Sequence, residues 1–277
     1  MHVFITGATG YIGKAVVREL IDAGHKVVGL TRSDEGASIL VTAGAEVLRG
    51  TLDDLDILRS GAVAADGVIH LAFIHDFSDF ARSLATDLRA IEAMGEALEG
   101  SGRPFVTTAH ANGVASDKAM LALAERGVRT SIVELPLSVH SDADKHGFVA
   151  RLISIARAKG VSAYIGDGSN RWPAIHRLDA ANLFRLALES APAGSRLQGV
   201  GDEGVPFIEI AGVIGRHLNL EMVSISRKEA EAHFGFLGAI VALDMPRSSL
   251  QTQELLNWRP VHPAFISDLE QGHYFNN

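Results

Sequence analysis

His2-Val3-Phe4-Ile5-Thr6-Gly7-Ala8-Thr9-Gly10-Tyr11-Ile12-Gly13 opens the chain and decides its fold. An apolar, β-branched run leads directly into three glycines spaced three residues apart, and an amphipathic segment, 14–23, follows at once. The order is strand, tight turn, helix. Gly7 permits the turn, Gly10 lets a backbone approach a ligand, and Gly13 lets helix and strand pack closely. The first N–H groups of such a helix have no acceptor within it and point, with the helix dipole, at whatever lies ahead. That arrangement suits a pyrophosphate. The plain alternative is a strand–helix turn that holds no ligand.

Outward from this loop, strand-like and helix-like segments alternate. Strands are expected at 26–31, 46–48, 67–72, 105–108 and 129–135, and helices at 78–98 and 115–126. In the first of these helices Phe80, Leu84, Leu88, Ile91 and Leu98 are expected near one inward face. The βαβ rhythm predicts an α/β fold, a doubly wound parallel sheet with helices on both faces and ligands beyond the carboxyl ends of the strands. After Pro136 the rhythm loosens. Helices are expected at 148–159, 179–189 and 207–218, a strand at 221–226, and a turn-rich loop at 166–170. The predicted organisation is a dinucleotide-binding core over 1–136. Residues 137–277 return to the sheet once or twice and build a small, mostly C-terminal substrate lobe, the whole forming one compact unit.

Bulk properties narrow the function classes. Of 277 residues, 47% are hydrophobic, enough for a large core, and the formal net charge of −8 disfavours nucleic-acid binding. There is no cysteine, which removes disulfides, cysteine zinc sites and a thiol nucleophile, and fits a reducing compartment. The chain enters a strand at once, leaving no room for a signal peptide. The most conspicuous apolar stretch, 234–243, is far short of the ~20 residues that span a bilayer. A cytoplasmic protein with no membrane partner is the expectation.

With these motifs the chain resembles the short-chain dehydrogenase/reductase superfamily, in its extended and atypical, epimerase/dehydratase-like branches. Thr6 to Gly13 matches TGxxGxxG. Leu71, Ala72 and Phe73, after the 67–72 strand, resemble the family's segment beside the cofactor riboses. Pro136-Leu137-Ser138-Val139-His140 resembles the proline turn that holds the nicotinamide amide. Trp172 to Asp179 resembles the family's W..vHv.D segment. The resemblance spans nearly the whole chain. It implies a Rossmann-like sheet and a dinucleotide held by Gly7, Thr9, Gly10, Tyr11, Ile12, Gly13, Leu71, Ala72, Phe73, Thr107, Pro136 and Val139. It further implies a small-molecule substrate and a homodimer, a state common in the family.

Cofactor choice follows from charge. A site for NAD(H) usually offers an acid after the second strand. Here the position reads Thr31-Arg32-Ser33, with no carboxylate before Asp34. Arg32 suits a 2′-phosphate, Thr31 and Ser33 can add hydroxyls, and NADP(H) is favoured over NAD(H). The alternative is that Arg32 is a solvated loop charge. Thr51 stands where the family often has an adenine-contacting Asp; Leu52 can contact the ring, and Asp53 and Asp54 are expected to cap the next helix.

The family's reactive pair is absent. Reduction in the family normally uses Tyr and Lys at Y-x-x-x-K, but the residues four past Tyr11 and Tyr164 are Ala15 and Gly168, and Tyr274 has only three residues after it. Alignment on the 115–126 helix puts Gly113 at the tyrosine position and Asp117 at the lysine position. Lys118, one residue out of register, points about 100° away. The connection from Thr107 to Gly113 is also shorter than the family's usual excursion.

Replacement residues are few. Thr107 or Thr108 matches the family's strand-end hydroxyl, with Thr108 taken to polarise the reacting oxygen, or else satisfies a backbone group. His110 can act as a general acid near neutral pH, or is an exposed loop histidine. His75 can reach the nicotinamide side, or cap the helix beginning near Ser78. His75, His140 and Trp172 are placed at the substrate pocket. His140 and His146 flank Asp142 and Asp144, but the spacing matches no zinc signature and no metal is expected. Asp179 reads as a helix cap and His176 as a buried hydrogen-bonding residue. No G-x-S-x-G elbow supports a hydrolase.

Three functions compete. The first is hydride transfer between NADP(H) and a small carbonyl or alcohol, with altered or impaired catalytic residues. The second is a non-catalytic NAD(P)-binding sensor or regulator, favoured by the missing pair. The third, an NAD-dependent sugar-type epimerase or dehydratase, rests on the fold branch alone.

Overall fold

The computed structural model describes residues 1–76, 78–110 and 112–276. Twelve strands occur among them: β1 (His2–Thr6), β2 (Lys26–Thr31), β3 (Glu46–Arg49), β4 (Gly67–His70), β5 (Pro104–Thr108), β6 (Arg129–Glu134), β7 (Ser138–His140), β8 (Val161–Ile165), β9 (Arg171–His176), β10 (Ser195–Gln198), β11 (Asp202–Pro206) and β12 (Glu221–Ile225). The longer helices are α1 (Tyr11–Asp22), α2 (Asp34–Thr42), α3 (Leu55–Ala64), α4 (Phe80–Glu96), α5 (Val114–Glu125), α6 (Phe148–Lys159), α7 (Arg177–Ser190) and α8 (Phe207–Leu218). The chain divides into two compact units. One is Met1–Glu134 with Ala180–Leu197 and Gln251–Trp258; the other is Leu135–Asp179 with Gln198–Leu250 and Arg259–Asn277.

The first unit holds a seven-stranded sheet in the order β10-β6-β5-β4-β1-β2-β3. The pairs β1/β2, β1/β4, β2/β3, β4/β5 and β5/β6 are all parallel. The order reverses between β1 and β4, the switch point at which doubly wound sheets open a crevice. Inner strands are buried on both sides, as helices on both faces require: Val3, Phe4 and Ile5 in β1, and Val68 and Ile69 in β4, are fully inaccessible. One core layer packs Phe4, Leu58, Val68, Met94, Phe105 and Leu123 together.

The second unit carries a three-stranded sheet, β11-β9-β7, and a parallel pair, β12-β8. In the first, β7 runs parallel and β11 antiparallel to β9. The β11 register shifts between Asp202 and Val205, facing the part of β9 that contains Pro173. A proline donates no ladder hydrogen bond, so an irregularity there is what the chemistry demands. Its core gathers Trp172, Phe207, Ile210, Phe234, Leu237 and Phe265. The chain returns to the large sheet once, as β10. Strands β7 to β11 are not legible as strands in the sequence, because they are short, with Pro or Gly inside β9 and β11 and polar residues in all five. Among the described residues no helix is long and apolar enough to cross a membrane.

Candidate functional site

The glycine loop sits where β1 and β4 end. Gly7 has φ of +70°, and a Cβ there would lie 2.6 Å from the Ala72 nitrogen. A Cβ on Gly13 would lie 2.0 Å from the Gly7 carbonyl oxygen. Neither position accepts any other residue without moving backbone. Gly10 is the extended N-cap of α1 and supplies no side chain to cover the first turn. Its N–H donates to the Gly7 carbonyl at 3.0 Å, closing the turn. Thr9, Tyr11 and Ile12 remain partly accessible on its outer side. With no capping side chain at Gly10, the start of α1 has the backbone geometry that accommodates a phosphate.

Beneath the loop lies a buried polar chain. The Leu71 N–H donates to the Thr6 carbonyl at 3.1 Å and the Ala72 N–H to Thr6 Oγ1 at 3.3 Å, tying the exit of β4 to that of β1. Thr6 Oγ1 lies 2.6 Å from His70 Nδ1, and His70 Nε2 lies 3.1 Å from Asp87 Oδ1 on α4. Ser116, in the first turn of α5, donates to Asp87 Oδ2 at 2.6 Å. All four side chains are buried. Burial raises the Asp87 carboxyl, but hydrogen bonds from His70 and Ser116, with the field of His70 and His110, outweigh it and hold the group below the usual carboxylate range. An ionised Asp87 can only accept, so His70 Nε2–H donates to it, and the Thr6 hydroxyl and His70 Nδ1 share the hydrogen bond on the other side of the ring.

His110 stacks on Phe73, ring centroids 4.1 Å apart, with Nε2 3.8 Å from Asp87 Oδ1. Burial pushes its pKa down to about 4, although Asp87 pulls the other way. The ring is packed and largely buried, against the reading of His110 as an exposed loop histidine, and the downward shift weighs against a general acid near neutral pH. The Thr108 hydroxyl donates to the Val133 carbonyl at 3.3 Å, the backbone-satisfying alternative. Thr107 is buried beside it on β5. His75 is exposed and lies edge-on to Phe73 at 5.4 Å. It does not cap α4; Asp79 does, accepting from the Arg82 N–H.

At the other edge of the loop, Thr31 is buried and the Ser33 Oγ accepts from the Gly36 N–H at 3.1 Å, capping α2. Arg32 is exposed with no ion-pair partner among the described residues. Leu52 is half-buried. Asp54 does not cap α3 with its side chain but accepts from the Thr51 N–H and hydroxyl, while Asp53 pairs with Arg89 at 3.1 Å.

The remaining expected site residues lie in the second unit. Pro136 is buried and Val139 half-buried on β7. Two of them are corrected from pocket to core. His140 is fully buried, its Nδ1 2.9 Å from Asp268 Oδ2 and its ring 5.1 Å from that of Phe265. Trp172 is 1% exposed and meets Phe207 edge-on at 5.2 Å. Asp179 is a clamp and not a cap: it accepts from the N–H groups of Val261 and His262 at 3.0 and 3.1 Å, and lies 2.8 Å from His262 Nδ1. His176, Asp179 and His262 bring potential ligand atoms within 4.8 Å of one another. However, the Asp179 oxygens are engaged by three donors, and His176 Nδ1 accepts from the Leu178 N–H at 3.2 Å. The stacked His176 and His262 rings, 4.8 Å apart, thus read as packing around a clamp.

Sequence reasoning passed over His70, Asp87 and Ser116. The available signal was polarity at positions the periodicity buries: a histidine inside an apolar strand, and an aspartate on the inward face of α4.

Against known proteins, residues 1–128 match the model of the NmrA-like family. The uncharacterized protein C2A9.02 of Schizosaccharomyces pombe is 47% identical over 296 aligned positions, covering 99% of this chain and 100% of that protein. The uncharacterized protein YLL056C of Saccharomyces cerevisiae is 44% identical over 299 positions, with both chains fully covered. Each alignment is longer than the 277-residue chain, so segments of both relatives have no counterpart here. Among solved structures, dTDP-glucose 4,6-dehydratase DesIV from Streptomyces venezuelae, determined with NAD and TYD bound, superposes with a TM-score of 0.76. It is 15% identical, over 99% of this chain and 96% of that one. The chain belongs to one family with these two yeast proteins, related to them along its whole length; its first 128 residues are NmrA-like, its fold is that of the dehydratase, and it contains no YxxxK.

Proposed function

We propose that the protein is an atypical NAD(P)-dependent oxidoreductase that binds NADP(H) in preference to NAD(H) and exchanges hydride with a small carbonyl or alcohol. The observation that carries this reading is the glycine loop. Two of its positions exclude any Cβ, the N-cap of α1 makes no side-chain hydrogen bond, and Arg32, just past β2, is exposed with no ion-pair partner among the described residues. Gly7, Gly10, Tyr11, Ile12 and Gly13 would hold the pyrophosphate, Leu71 to Phe73 the ribose side, and Arg32 the 2′-phosphate. The cofactor supplies the hydride chemistry when bound. This chain's own residues bind and orient it. His70 and Asp87 lock Thr6, Thr6 holds the Ala72 N–H, and the ribose segment is set in place before binding. Phe73 and His110, stacked on each other, flank the ribose segment.

A second reading, a non-catalytic NAD(P)-binding regulator, is favoured by a separate observation: the Thr108 hydroxyl is engaged by the Val133 carbonyl, and burial pushes the His110 pKa down. Lack of a proton donor would slow turnover by the roughly 10²–10⁴ that acid–base catalysis contributes. Calorimetric titration with NADPH and NADH, on the wild type and on Arg32→Ala, tests the shared premise. Tighter NADPH binding that Arg32→Ala selectively weakens supports it, and binding of neither nucleotide overturns both readings. NADPH consumption with a panel of aldehydes and ketones then separates the enzyme from the regulator.

A further inference from the structure

The backbone brings three charged residues, Arg32, Asp34 and Arg49, to the end of β2. Arg32 follows the last residue of that strand. Arg49 ends β3, where its Cα is the register partner of Thr31, and the Gly50 N–H donates to the Thr31 carbonyl at 3.2 Å. Parallel pairing therefore brings Arg49 to the same strand end as Arg32. Asp34, the first residue of α2, is hydrogen-bonded through Oδ1 to the Arg49 guanidinium.

The pair faces water. The Asp34 side chain is 99% exposed and that of Arg49 47% exposed. An exposed ion pair contributes little and exchanges readily for a better partner. A phosphate monoester is such a partner, because its dianion accepts parallel hydrogen bonds from a guanidinium fork and carries about twice the charge of a carboxylate. Asp34 opposes that exchange in two ways: it occupies Arg49, and it adds negative charge where the phosphate would sit. Glu35, exposed in the same first turn, adds another, so a single arginine would leave this edge acidic on balance. Without a phosphate, the Asp34 carboxylate is an acceptor suited to a ribose diol.

We propose that Arg49 is a second ligand for the 2′-phosphate and Asp34 its competitor, so that this ion pair sets the ratio of NADP(H) to NAD(H) binding. The inference rests on the reading of the glycine loop as a dinucleotide site.

The test is calorimetry on the full chain with NADPH, NADH and 2′,5′-ADP, comparing wild type, Arg49→Ala, Asp34→Asn and Arg32→Ala. Arg49→Ala is expected to weaken NADPH and 2′,5′-ADP at least about tenfold while leaving NADH within about twofold, the loss of one charge-assisted contact. Asp34→Asn is expected to tighten NADPH and to leave NADH unchanged or weaker. If Arg49→Ala and Asp34→Asn leave the NADPH/NADH ratio at its wild-type value while Arg32→Ala lowers it, the inference is overturned and the cofactor reading stands. If the wild type binds neither nucleotide, both fall.

Discussion

His110 shows how one side chain changes meaning between sequence and structure. In sequence it is a histidine in a short loop, open to acid–base work; in the structure its ring is packed on Phe73 above a buried carboxylate. A histidine whose folded pKa is depressed to about 4 costs stability as pH falls, because the unfolded chain takes up its proton first, near 6.5. The loss begins below pH 6.5 and is complete near 4. Between pH 7 and pH 5 this residue alone should remove about 2 kcal/mol. Urea unfolding at the two pH values should show a drop smaller by that amount in His110→Phe. Asp87 acts in the opposite sense and in another window. Its depressed pKa stabilises the fold above the unfolded carboxyl value and is lost as pH falls through the folded one. Asp87→Asn sets an amide against the donors of His70 and Ser116, and should cost about 2 kcal/mol at neutral pH in the same measurement.

Legibility varied sharply from element to element. The β1–loop–α1 unit, the alternation through β6, and the bounds of α6 and α8 could be read directly, because long periodic runs with clear stops dominate there. The inward face of α4 could not. Leu84 and Leu88 were expected to point inward, yet the buried face carries Ser83, Thr86 and Asp87 with Ala90, Ile91 and Met94. Hydrophobicity marks burial only where polar residues lack internal partners, and here His70 and Ser116 supply them. At the candidate site the tight turn was legible from its glycines, whose packing excludes a Cβ at Gly7 and Gly13. Arg49 was not, since its place beside Arg32 comes from strand register and no sequence spacing reports it. The loop's packing gives a firm expectation: Gly13→Ala must displace the Gly7 carbonyl, costing about 2–3 kcal/mol and abolishing measurable nucleotide binding. In the second unit, Asp179→Ala releases the Val261 and His262 amides together, and should lower stability by about 2–4 kcal/mol in urea unfolding.

For the molecule as a whole, a net charge of −8 sets the field that any partner meets. A duplex DNA fragment should show no mobility shift with this protein at physiological salt, because a net repulsive field offers no counterion-release gain. The order in which the chain contributes to its two units has another bearing. The first unit takes 1–134, then waits through 135–179 before 180–197 adds β10 against β6, and it receives its last segment only at 251–258. During synthesis β6 therefore emerges as an open strand edge with unpaired backbone groups, and stays so until some sixty further residues have been made. Over that interval the nascent chain is most exposed to mispairing with its neighbours. Slowing elongation between 135 and 195 should lower the soluble yield more than slowing it after 198.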